Sequence, residues 1–173
     1  KRLLKLENKL QDGGLRYERF FTEQNGLGKL AYTLNKDPSF TELLVFGGDG
    51  TLNYVVNEMG VRQLPISIVS SGTGNDSVKS LHGILDFDKQ ADIAIYGQIS
   101  KFDLGICNGR YFVNGFGIGF DGQVVKEMLG RKRKKGGHLD YLLTVLRIIS
   151  GFKEKKLRFS IDEVEFEKNI LLL

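Results

Sequence analysis

The sequence predicts an α/β protein: an open parallel sheet with crossover helices, followed by a β-rich segment. Two observations carry that reading. Two apolar runs, Leu43-Leu44-Val45-Phe46 and Ile66-Ser67-Ile68-Val69, each break on a glycine-rich turn and re-enter a helical pattern. After about residue 92 the pattern changes to short strands, with the strong hairpin signal Asn108-Gly109 between two of them. The boundary is therefore expected near residue 92, with an α/β domain over 1–92 and a β-rich domain over 93–173.

Leu3, Leu4, Leu6 and Leu10 fit one face of an opening helix that ends near Gly13-Gly14. Leu15 to Phe21 alternates as a strand, with Tyr17, Phe20 and Phe21 supplying β-propensity. Thr22 to Gly26 reads as a turn, and Gly28 to Asn35 as a short helix closed by Asp37-Pro38. After the first glycine turn, Val55, Val56 and Met59 give a helix its buried face, with Gly60 as its C-terminal cap. The second glycine turn leads into a helix toward Leu81. Ile93–Tyr96, Lys101–Cys107, Tyr111–Phe116 and Lys156–Glu167 read as strands. One helix, Asp140 to Ser150, interrupts them, with Leu142, Leu143, Val145, Leu146 and Ile149 as its apolar positions. Both ends read as incomplete: a sheet of this kind usually opens on a strand, and Leu171-Leu172-Leu173 has no turn behind it. A fragment of a larger protein is the expectation.

Composition bounds the function. With 41% hydrophobic residues among 173, the chain can build an ordinary core. No apolar stretch approaches the roughly 18 residues of a spanning helix, and Lys1-Arg2-Leu3-Leu4-Lys5 is no secretory leader. Cys107 is the only cysteine, which excludes a disulfide framework and a thiolate metal site. His82 and His138 have no metal-ligand spacing. A reducing, cytoplasmic setting is expected. The net charge of +4 permits an anionic partner without requiring nucleic acid.

The chemistry is concentrated in the two turns, Gly47-Gly48-Asp49-Gly50-Thr51 and Gly72-Thr73-Gly74-Asn75-Asp76. Glycine lets the backbone approach a phosphate, and the freed N–H groups with the helix N-terminus form an anion site. Thr51 can cap the helix or bond a phosphate oxygen, and Asn53 can reach the same ligand. Asp49 repels phosphate, so it makes sense holding Mg²⁺, ordering water around the metal or accepting a proton. The same holds for Asp76. Taken singly, either turn is also ordinary αβ turn chemistry. Two in succession lie where open α/β sheets bind ligands.

Gly47-Gly48-Asp49-Gly50-Thr51-Leu52-Asn53 followed by Gly72 to Asp76 resembles the diacylglycerol/sphingosine-type lipid kinase catalytic domain, particularly its bacterial members. The resemblance continues through Phe102-Asp103-Leu104-Gly105, Tyr111-Phe112-Val113-Asn114 and Gly117-Ile118-Gly119-Phe120-Asp121. It implies an NAD kinase/diacylglycerol kinase-like nucleotide-binding domain followed by part of a β-sandwich. It implies an ATP-dependent transfer to a lipid hydroxyl such as that of diacylglycerol, with Mg²⁺, in phospholipid metabolism. Gly47, Gly48, Asp49, Gly50, Thr51, Leu52 and Asn53 would contact ATP. Thr22, Gly72, Thr73 and Asn75 would lie beside it, and Asp49 and Asp76 would serve as catalytic and metal residues, in part through water. The family's general base lies later in the β-rich domain and is expected beyond Leu173, so the fragment alone is expected to be inactive. The sequence departs from the family at Ser70, where proline is usual, at Ser77, where an aromatic is common, and at Tyr54, where Glu is frequent.

Other signals are weaker. Gly117 to Gly122 matches G-x-G-x-x-G, but β-rich surroundings and a following basic run oppose a dinucleotide site. Close backbone packing explains it better, with Asp121 a secondary site candidate. Arg131, Lys132, Arg133, Lys134 and Lys135 form a basic loop suited to anionic lipid headgroups and peripheral membrane contact, or simply to solvent. No aromatics interleave these charges, which argues against nucleic acid. No G-x-x-x-x-G-K-[ST] motif is present, so a Walker-type P-loop is excluded. The rival readings are an NAD kinase-like enzyme, a phosphofructokinase-like one, a nucleotide-binding regulatory module without catalysis, and a lipid binder with a vestigial nucleotide site. The oligomeric state is open, a homodimer included. Because Asp49 lies in a turn, Asp49→Asn is expected to abolish transfer while sparing the fold.

Overall fold

The computed structural model describes residues 1–22, 29–59, 63–72, 74–130 and 138–170. Gly60, Thr73, Arg131–Lys135, Leu171–Leu173 and the later residues of the Thr22–Gly26 turn lie outside them. The chain forms two compact units, Lys1–Gly115 and Phe116–Leu173. Residue 92, the expected boundary, falls inside a helix.

The first unit is built on a parallel pair of strands, β1 (Leu43–Gly47) and β2 (Ile66–Ser70), in register from Leu43↔Ile66 to Gly47↔Ser70. Successive side chains point to opposite faces, so each strand feeds two cores. On one face Val45 and Ile68 pack with Leu30 and Leu34 of α2 (Lys29–Lys36) and with Leu52, Val55 and Val56 of α3 (Asp49–Glu58). On the other, Val69, Leu44 and Phe46 meet Leu6 of α1 (Arg2–Asp12) and Ala91 and Ala94 of α5 (Phe87–Tyr96). Helices on both faces are what parallel strands require, because neither face can be left wet. Each fully buried aliphatic side chain contributes about 1.5–3 kcal/mol to that packing. α4 (Asp76–His82) follows β2 and buries Ser77 and Val78.

Three expectations in this unit are corrected. Leu15–Phe21 is not a strand, and Tyr17, Phe20 and Phe21 are exposed. β-propensity reflects packing against a neighbouring strand, and among the described residues no strand pairs with this segment. Ile93–Tyr96 is the last turn of α5. The Asp86 side chain caps that helix by accepting the Lys89 N–H at 2.9 Å, and Gln90, Ala91 and Ala94 form its buried face. The strands expected over 101–107 and 111–116 shrink to β3 (Gly105–Cys107) and β4 (Arg110–Phe112). Their turn is as expected: Asn108 and Gly109 both have positive φ, 49° and 75°.

The second unit contains α6 (Phe120–Gly130), α7 (His138–Ile149) and an antiparallel hairpin of β5 (Lys155–Ile161) and β6 (Val164–Ile170). Helix α6 corrects the expectation of a single helix here. The hairpin reverses at Asp162-Glu163, both at positive φ, and Phe159 stacks on Phe166 across the strands. Helix α7 lies where its periodicity predicts it, but Leu142, Leu143, Leu146 and Ile149 are exposed whereas Thr144 and Ile148 are buried. Apolar spacing located the helix but not the face it buries.

Candidate phosphate-binding site at the paired glycine turns

Because β1 and β2 are parallel and in register, their carboxyl ends deliver the two glycine turns side by side. The turns meet backbone to backbone. A Cβ on Gly72 would lie 2.8 Å from the Gly48 Cα, and one on Gly48 would lie 3.2 Å from the Gly72 Cα. Gly72 has no room for a side chain, and at Gly48 the facing backbone would have to give by a few tenths of an ångström. Ser71 N–H extends the contact by donating to the Gly47 carbonyl at 2.8 Å.

Asp49 ties the turns together. Its Oδ1 accepts from Ser77 N–H at 2.8 Å and its Oδ2 from Asp76 N–H at 3.0 Å. These are first-turn amides of α4, which have no intrahelical acceptor. The N-cap of α4 is Asn75, in the left-handed region at φ 55°, and its side chain makes no capping bond. The cap comes instead from a residue 28 positions upstream of Ser77. Burial pushes the Asp49 carboxyl up, but the Ser77 N–H and hydroxyl and the Asp76 N–H stabilise the anion more, so its pKa falls below the usual carboxylate value.

The remaining candidates separate by what surrounds them. Some build the turns. Leu52 is buried at 4% exposure, so its side chain belongs to the core and only its backbone is left to meet a ligand. A Cβ on Gly47 would come within 2.6 Å of the Thr51 Oγ1, so Thr51 folds back over Gly47. Asn75 closes the second turn by donating from Nδ2 to the Gly72 carbonyl at 2.8 Å. Gly50 remains open to a ligand. A Cβ on Gly50 would meet nothing within 4 Å, and Gly50 has no positive φ. Asn53 Oδ1, by contrast, is enclosed, with no hydrogen-bond partner among the described residues. Thr22 is exposed in coil after α1, and Thr73 lies outside the described residues.

Asp76 and Asp49 share one neighbour. A Cβ on Gly74 would lie 3.4 Å from Asp76 Oδ2 and 3.5 Å from Asp49 Oδ2. Asp76 also pairs with Lys79 Nζ at 2.9 Å. Among the described residues no three His, Cys, Asp or Glu side chains converge to hold a metal. With each Asp49 oxygen already accepting an N–H, these carboxylates fit a cation held partly through water and substrate phosphates. That is the coordination Mg²⁺ favours.

Two supporting residues carried no signal in the sequence. Asn57 of α3 accepts from Tyr111 N–H at 3.0 Å, and its Nδ2 donates to the Tyr111 carbonyl at 3.0 Å and the Asn53 carbonyl at 2.8 Å. It anchors the β3–β4 hairpin to the helix that begins at the first turn. Gln90, 8% exposed, reaches from α5 to the end of β2. Both are amides on otherwise amphipathic helices, where polar residues read as solvent-facing.

In the second unit, a Cβ on Gly117 would come within 3.1 Å of Asp121 Oδ2. The neighbour is a side chain rather than the backbone expected there, and the segment opens helix α6 instead of lying among strands.

Parallel strands ending in two backbone-lined turns, each at the head of a helix, define an α/β domain whose turns lie at the edge where open α/β sheets bind ligands. The chain belongs to the diacylglycerol kinase catalytic domain family, whose model matches residues 1–107. It is 29% identical over 168 residues to a diacylglycerol kinase of Staphylococcus saprophyticus, covering 95% of this chain and 54% of that one. A Staphylococcus aureus (strain JH9) diacylglycerol kinase is 30% identical over 168 residues, with 95% and 53% covered. The chain thus spans about half the length of the curated relatives it matches. A Bacillus anthracis str. Sterne crystal structure with a provisional diacylglycerol kinase assignment superposes with a TM-score of 0.73 at 21% identity. That match covers 99% of this chain and 58% of the other, and supports the fold. Among the described residues no helix is long and apolar enough to cross a membrane.

Proposed function

We propose that this chain carries the nucleotide half of an ATP-dependent lipid kinase, which moves the γ-phosphoryl group of Mg-ATP to a lipid hydroxyl such as that of diacylglycerol. The observation that carries the reading is the Gly48–Gly72 contact, with Asp49 bridging to the head of α4. It sets two glycine turns and two helix N-termini around one place. Phosphoryl transfer asks a protein mainly for positioning and charge neutralisation, and backbone amides supply both without reorganising.

The roles follow from the contacts. Gly50, with open space where a Cβ would stand, lets phosphate approach the first turn of α3. Asp49 stays anionic and holds the second turn in place. Asp76, whose side chain accepts from Lys79 Nζ, is the carboxylate we assign to a water-bridged cation. Mg²⁺, when bound, neutralises charge on the transferring phosphates. The lipid substrate sets a peripheral membrane location, to which Arg131–Lys135 add electrostatic attraction.

The test is transfer of radiolabelled phosphate from ATP by the full-length protein, offered a lipid panel and NAD. Label in a lipid product supports the reading. Label in NAD alone overturns it in favour of an NAD kinase-like enzyme, and no label in either favours a regulatory module.

A further inference from the structure

The end of β2 is held by an arrangement that the paired turns do not explain. Ser70, its last residue, donates both its backbone N–H and its hydroxyl to Gln90 Oε1, each at 2.8 Å. Gln90 Nε2 in turn donates to the Leu85 carbonyl at 2.8 Å. Gln90 is buried beside the cluster that contains Ala91 and Val69. A buried amide is costly unless its polar atoms are bonded, and this one spends its acceptor on a single residue.

The geometry makes that residue a pivot. Ser71 N–H faces β1 and reaches Gly47, whereas Ser70 N–H points the other way, to α5. The backbone entering the second turn is therefore gripped from both sides. One residue beyond Ser71, Gly72 must stand against Gly48 with no space to spare. A small shift at Ser70 would open that contact and draw Asp76 and Ser77 away from Asp49. A proline at Ser70 would have a fixed φ and no N–H to satisfy; serine has neither property, and Gln90 supplies the restraint and the acceptor.

We propose that Gln90 is a positioning residue that, through Ser70, sets the second glycine turn against the first and so tunes nucleotide affinity. The proposal rests on the nucleotide reading of the turns. The test is a double-mutant cycle in the intact chain, reading Mg-ATP Kd and kcat for Gln90→Ala, Ser70→Pro and the pair. Each single change leaves a buried group unpartnered, and each is expected to raise Kd about tenfold with a smaller effect on kcat. The pair removes the Ser70 donors and the Gln90 acceptor together, with the Leu85 carbonyl still missing its Gln90 donor, and is expected to raise Kd by clearly less than the two single losses combined. Ser70→Ala, which removes only the hydroxyl, is expected to lie between wild type and Gln90→Ala. Leu10→Ala, matched in thermal stability, should leave Kd unchanged. Additive losses in the pair, or an equal loss in Leu10→Ala, overturn the latch. If wild type binds no nucleotide, the kinase reading fails separately and amide exchange decides the latch. Loss of Ser77 N–H protection in Gln90→Ala then supports it, and unchanged protection overturns it.

Discussion

Asp49 Oδ1 accepts the Ser77 N–H at 2.8 Å, so a carboxylate in the first glycine turn caps the helix behind the second. This changes what an Asp49 substitution tests. Asparagine can accept one of the two amides but presents an NH₂ to the other. Asp49→Asn is therefore expected to lose about 1 kcal/mol of stability, as helix caps do, in addition to losing nucleotide turnover. Chemical denaturation beside a turnover assay checks this. Unchanged stability would return Asp49 to a purely chemical role, as its position in a turn suggested.

The glycines should separate by cause. Gly48→Ala and Gly72→Ala force a Cβ into backbone and should destabilise the first unit by about 1–3 kcal/mol through overpacking. Gly50→Ala meets open space within a helix and should stabilise by about 0.5–1 kcal/mol. Yet it should weaken Mg-ATP binding, because the new methyl group stands where phosphate approaches. Paired melting and calorimetric titrations distinguish these outcomes. Normal ATP affinity in Gly50→Ala would remove Gly50 from the site.

A depressed carboxylate pKa fixes the sign of a pH effect. The Asp49 carboxylate has a lower pKa folded than unfolded, so its contribution is complete above the unfolded value. It is lost as pH falls through the folded one. Wild type should therefore keep the Asp49 contribution down to about pH 4, near the ordinary carboxylate value, and lose it below. Asp49→Asn should show a flatter acid limb. Parallel acid limbs in urea titrations at graded pH would contradict the assignment.

Asn57 answers Tyr111 as a neighbouring strand would, meeting both its N–H and its carbonyl. A two-stranded hairpin is marginal by itself. Asn57→Leu keeps the bulk but should free β3–β4, with faster exchange at Tyr111 and a stability loss of about 1–3 kcal/mol. Retained Tyr111 protection would show that other contacts, such as Val113 against the α2–α3 core, suffice to hold the hairpin.

What was legible in the sequence was local. Strands β1 and β2, their glycine turns and helix α3 could be read because period, turn chemistry and buried side chains agree over short spans. Asn108-Gly109 fixed its hairpin for the same reason. What failed depended on tertiary context. Ile93–Tyr96 looks like a strand until Asp86 is seen to cap the helix that contains it. Leu15–Phe21 has strand propensity but no strand paired with it. The Asp162-Glu163 reversal lacks the glycine that usually marks one. Within the site, Gly48, Gly50 and Gly72 were legible as turn residues, but which glycine faces protein and which faces open space was not. Gln90 and Asn57 act across 20 and 54 residues of sequence, a distance no spacing rule covers.

The central claim is that the two turns form one nucleotide site, and backbone amide shift mapping tests it most directly. Mg-ATP titrated into isotopically labelled protein should perturb Gly48, Gly50, Thr51, Asn75 and Asp76 together, with one common affinity. Perturbation confined to one turn, or centred in the second unit, would contradict the account.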